Sequence, residues 1–78
     1  MEVRLTLDDD LIKEMMAKTG VSKATDLTKE AMTMLHWAID EAASGRLVLS
    51  TDAQGSEVRQ LAMPTLRQAA ARAQPLTK

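Results

Sequence analysis

The side chains with most chemical reach lie in three places. His36 precedes Trp37 and stands four residues before Asp40, Asp8-Asp9-Asp10 form an acidic run, and Met15, Met16, Met32 and Met34 are four of six Met in the chain. A His and a carboxylate can relay a proton to or from a reacting group. Adjacent residues of a helix face different ways, however, and no nucleophile sits in register with the pair. Three consecutive Asp lack the spaced ligands and the Gly of a calcium loop, so a helix cap is expected there. The Met are expected as core filler and Trp37 as a core or interface anchor. No catalytic residue, metal site or cofactor is expected, and the chain is not expected to be an enzyme.

The elements that must carry any other chemistry follow from periodicity. Val3-Arg4-Leu5-Thr6-Leu7 alternates apolar and polar residues, the period-two pattern of a half-buried strand. Val3, Leu5 and Leu7 then face a core, and Glu2, Arg4 and Thr6 face away. A lone strand leaves its backbone groups unpaired, so this one needs either a strand formed after residue 46 or a second copy of itself. Asp8 is expected as the N-cap of a first helix, with Leu7 and Ile12 as a hydrophobic staple and Asp9 and Asp10 complementing the dipole. Leu11, Ile12, Met15 and Met16 make one apolar face, and Lys18 with Gly20 ends the helix.

Ser22 is expected to cap a second helix over 23–44, about 22 residues and roughly 33 Å long. Its apolar face is Leu27, Ala31, Met34, Leu35, Ala38 and Ala42, and Gly45-Arg46 ends it. Beyond that point the composition changes. Leu47-Val48-Leu49 is a short apolar run and Thr51 to Ser56 a turn cluster, which favours a hairpin of 46–50 with 57–63. Val58, Leu61 and Ala62 also fit one turn of helix. Pro64 closes the hairpin, and Leu66 to Ala73 is either a short docked helix or a frayed tail.

Composition narrows the classes. A single domain of 8.5 kDa rarely stabilises itself without a staple, and with no Cys and one His neither disulfides nor a structural zinc can supply it. Oligomerisation is the expected substitute. One Trp with no Phe or Tyr removes the stacking platforms of single-strand and RNA binders. No membrane span or signal peptide is visible, so a cytoplasmic location is expected. Residues 1–45 hold five basic against nine acidic residues, a net of −4, and residues 46–78 hold five against two, a net of +3. Any DNA contact must therefore rest on geometry rather than on bulk positive charge.

The order of a short strand, an Asp-capped helix, Gly20-Val21-Ser22-Lys23 and a longer helix bearing Leu27 and Lys29-Glu30-Ala31 resembles the ribbon-helix-helix family of bacterial and phage DNA-binding proteins. The resemblance covers residues 2–44. It implies a mainly α fold whose N-terminal strand pairs with that of a partner chain in an intertwined homodimer, with Val3, Leu5, Leu7, Leu27, Ala31 and Leu35 in the dimer core. In that family the outer face of the ribbon enters the major groove of double-stranded DNA, which admits two strands. The resemblance makes Arg4, Thr6 and Glu2 the base-reading residues. Arg4 can donate twice to guanine, Thr6 can meet a base edge or the thymine methyl, and Glu2, a departure from the family's polar or basic preference, can accept from cytosine. Phosphate anchoring would fall to the start of the second helix, at Ser22, Lys23, Ala24 and Thr25.

The expected organisation is a 1–45 module for dimerisation and DNA binding, then a 46–78 extension with a hairpin over 46–63 and a tail over 64–78. The hairpin is expected to cover Trp37 and Ile39. The function so implied is a sequence-specific transcriptional regulator, a repressor acting on a palindromic or tandem operator, with further assembly of dimers on DNA. The alternative is an antitoxin or other protein-interaction module whose C-terminal segment binds a partner protein, since family members that act as antitoxins carry such a segment.

Overall fold

A computed structural model describes residues 1–73. Among them the protein is mainly helical, with three helices and one small antiparallel sheet: α1 (Asp9–Thr19), α2 (Ala24–Ala43), β1 (Leu49–Ser50), β2 (Arg59–Gln60) and α3 (Pro64–Ala73). Residues 74–78, the end of the expected tail, lie outside the described residues. No described helix is long and apolar enough to cross a membrane.

Local chemistry sets the helix ends. Asp8 caps α1 as expected: its Oδ1 accepts from the Asp10 N–H at 3.0 Å and its carbonyl accepts from the Ile12 N–H at 3.0 Å. At the other end Gly20 turns left-handed at φ +78° and donates its N–H to the Met16 carbonyl at 2.8 Å, the αL form of C-cap. The α2 terminus is a Schellman motif. Gly45, at φ +88°, donates to the Ala42 carbonyl at 3.1 Å, and the Arg46 N–H donates to the Glu41 carbonyl at 2.9 Å. The Arg46 Nε then returns to Glu41 Oε1 at 2.9 Å, tying the chain leaving the helix to its last turn.

The start of α2 differs from expectation by one residue. Lys23, not Ser22, holds the cap position, since its carbonyl accepts from the N–H groups of Asp26 at 3.1 Å and Leu27 at 3.4 Å. Ser22 lies one place outside, where its hydroxyl is too early in the chain to serve the first turn.

The hairpin forms, but its ladder is shorter than 46–50 with 57–63. Leu49 faces Gln60 and Ser50 faces Arg59, and the Leu61 N–H extends the pairing to the Val48 carbonyl at 2.8 Å. The turn consumes the rest. Asp52 accepts from the Gln54 and Ser56 N–H groups at 3.1 and 2.8 Å and from the Ser56 hydroxyl at 2.6 Å. Glu57 sits at φ +54°, which breaks the alternation before β2 can begin. No helical turn forms over Val58–Ala62. Pro64 does more than close the hairpin: it is the first residue of α3, a position where its missing N–H costs nothing, and the Met63 carbonyl caps the helix by accepting from Leu66 and Arg67, both at 3.1 Å.

The chain divides into two compact units, one over Met1–Met32 and one beginning at Thr33, with α2 contributing to both. In the first, Leu27 is buried and Ile12, Met16 and Val21 are half-buried. In the second, Ala38, Ala42 and Leu66 form a buried cluster against which Leu35, Ile39, Val48, Met63, Ala69 and Ala70 pack. Alanines on α2 let Leu66 of α3 approach closely, so one Leu side chain joins the hairpin, α2 and α3.

Residues 1–8 form no strand with β1 or β2, which pair only with each other, so a strand after residue 46 is not the partner of this segment within the chain. Two expectations are corrected here. Met15, Met32 and Met34 are exposed rather than core filler. The hairpin does not cover Trp37, which is 52% exposed, because the buried arc of α2 runs through Ala38, Ala42 and Leu35 and Trp37 points away from it, while Ile39 packs against the Ala38, Ala42 and Leu66 cluster.

Candidate nucleic-acid interface

The residues expected to meet DNA fall in two stretches of the first unit. Glu2, Arg4 and Thr6 lie in the exposed segment before α1, on backbone that has no ladder partner. Their apolar neighbours are equally uncovered, with Val3 67%, Leu5 59% and Leu7 44% exposed. Asp8, the N-cap of α1, is extended at φ −69° and ψ 117° where the chain enters the helix, so the segment is anchored at its C-terminal end. Arg4 makes no ion pair among the described residues, and its five N–H donors remain free for a bidentate acceptor.

The second stretch is the start of α2. The first N–H groups of a helix have no acceptor within it, and here they belong to Ala24, Thr25 and Asp26, with Asp26 N–H turned back to Lys23. Ser22, Lys23, Ala24 and Thr25 are all exposed. An anion at this end would meet two N–H groups, the dipole and the Lys23 ammonium. It would also meet opposition, since the Asp26 carboxylate stands in the same first turn. The net field is thus weaker than at a helix start free of acids.

Of the expected dimer core, Leu27 is buried and Leu35 half-buried within the single chain, while Val3, Leu5, Leu7 and Ala31 are exposed. His36 Nε2 lies 3.5 Å from Asp40 Oδ2 on the open surface of α2, an i,i+4 pair of solvated groups. Asp52 holds its hairpin turn as an acceptor only: bonds from the Ser56 hydroxyl and N–H, then from the Gln54 and Gly55 N–H groups, keep its carboxyl below the usual carboxylate value. Among the described residues no group of three or more His, Cys, Asp or Glu is placed to hold a metal ion.

Sequence reasoning missed one feature, an apolar pocket in the second unit lined by Ala42, Leu47, Val48, Leu61, Met63 and Leu66. The signal was Leu66, the one large apolar side chain of an Ala-rich helix opened by Pro64. No known family model, curated protein or solved structure matches this chain.

Proposed function

We propose that the protein is a homodimeric, sequence-specific DNA-binding regulator of the ribbon-helix-helix type, a transcriptional repressor that reads the major groove of a palindromic or tandem operator with its N-terminal segments. The observation that carries the reading is the state of residues 2–7. They alternate apolar and polar side chains, yet expose all three large apolar ones and leave the backbone unpaired, while the hairpin strands are paired elsewhere. Antiparallel pairing with the same segment of a second copy satisfies the backbone and covers one face at once. It also presents Glu2, Arg4 and Thr6 of both chains on the other face, six polar side chains about a two-fold axis. Repression would be steric, by occupancy of the operator.

The test is selection of genomic DNA fragments by the purified protein at moderate salt, in parallel with Arg4→Ala. A recurring short palindrome or tandem repeat that the variant no longer enriches is the expected result. Arg4→Ala should cost roughly 1–3 kcal/mol per site and relax base preference. Equal loss on operator and random DNA would remove the base-reading role. A second reading, a protein-interaction module such as an antitoxin acting through its C-terminal part, is favoured by the apolar side chains that the hairpin leaves exposed.

A further inference from the structure

The second unit holds more exposed apolar surface than its fold uses. Leu47, Leu49, Val58 and Leu61 are all exposed on a hairpin whose paired strands are two residues each. Beside them the pocket floored by Val48, Met63 and Leu66 measures about 180 Å³. That is below the roughly 300–1,000 Å³ of small-molecule sites, and suits a single anchoring side chain of the Leu or Phe size. The only charged residues on its wall are Arg46 and Arg67. Arg46 is engaged by Glu41, whereas Arg67 has no ion pair among the described residues. Arg59, Arg67 and Arg72 follow Glu57 with no Asp or Glu among them.

We propose that this pocket is a docking site for an acidic amphipathic helix of a partner protein, which inserts one large apolar side chain above Leu66 and pairs its carboxylates with Arg67. Charge decides the class of occupant. A basic helix would meet Arg67 and the cationic α3 unscreened, with Gln60 the one neutral polar side chain of the lining to accept from it. An acidic helix meets a planar guanidinium able to grip a carboxylate with two bonds. The site is built wholly within the second unit and stands independently of the DNA reading.

The probes are two synthetic 14-residue helical peptides with the same Leu face, one with Glu and one with Lys on its polar face, titrated into isotope-labelled full chain. The expected result is amide shifts confined to residues 42–48 and 60–70, with the Glu peptide binding at roughly 10–100 µM and at least about tenfold tighter than the Lys peptide. Arg67→Glu, an exposed change that leaves the fold intact by its unperturbed α1 and α2 amides, should reverse the preference. Leu61→Asp at the pocket rim should abolish both. Equal affinity for the two peptides, no binding of either up to about 1 mM, or shifts in these residues that grow with protein concentration before any peptide is added would each overturn the proposal, the last by showing a second copy as occupant.

Discussion

Arg4 and Lys23 carry the same charge, but their surroundings suit them to different parts of the proposed function. Arg4 lies in the exposed segment before α1 among side chains that alternate, where its planar fork is able to read a base edge; Lys23 lies at the capping position of α2, where it adds a point charge to a helix N-terminus. Lys23→Ala is therefore expected to weaken binding to all DNA sequences alike and to lower the slope of log affinity against log salt by about one per contact, which titrations at several salt concentrations measure. An unchanged slope would leave Lys23 without a phosphate. Asp52 makes a different kind of prediction. Its carboxyl is held below 3.8 by donors it has only in the folded turn, so the stabilisation is complete above that value and lost as pH falls through the lowered one. The Gln54 and Ser56 amide resonances should titrate together with a midpoint below 3.8. A midpoint at or above 3.8 would contradict the turn geometry.

Among the elements, α3 depends most on one side chain. Leu66 is its only buried residue, and removing its branched end leaves a cavity between α3 and the alanines of α2. Leu66→Ala should cost about 2–5 kcal/mol, which rivals the whole stability of so small a core. Hydrogen exchange should show α3 and the hairpin losing protection while α1 amides keep theirs. The elements also divide by what made them readable. Asp8, Gly20 and Gly45 act on bonds within a few residues, so both ends of α1 and the end of α2 were legible from residue type alone. The hairpin was legible through Asp52 and Gly55, but its length was not, because the left-handed Glu57 is a non-Gly residue that no local rule foretells. Pro64 was misread as a stop alone because the same residue type serves both a strand end and a helix start. Residues 3–7 have a strand's pattern and no strand, since pairing is a property of two segments and one chain supplies only one. The residues proposed to read DNA were nameable from alternation and resemblance; the pocket over Leu66 was not, as it arises where three elements meet.

For the molecule as a whole, uncovered apolar side chains are the telling feature. Val3, Leu5, Leu7 and Leu11 are exposed in the first unit, and Leu47, Leu49, Val58 and Leu61 in the second. Apolar side chains grouped on a surface in this way mark places that a partner covers. In the proposed dimer, Leu5 lies at the centre of the paired segments. The melting temperature should rise with protein concentration, and Leu5→Asp should abolish both that dependence and the dimer in sedimentation. A melting temperature that ignores concentration would end the dimer proposal. One exposed side chain gives such experiments an unexpected convenience. Trp37 is the sole aromatic residue in the sequence and stands half in solvent on α2. With no Tyr or Phe to add background, every near-ultraviolet photon that the protein absorbs above the peptide bands and re-emits reports on that one indole. The chain thus carries a built-in fluorophore on its outer face, and whichever molecule comes to lie over it will announce itself as a shift of emission to shorter wavelength, without a label.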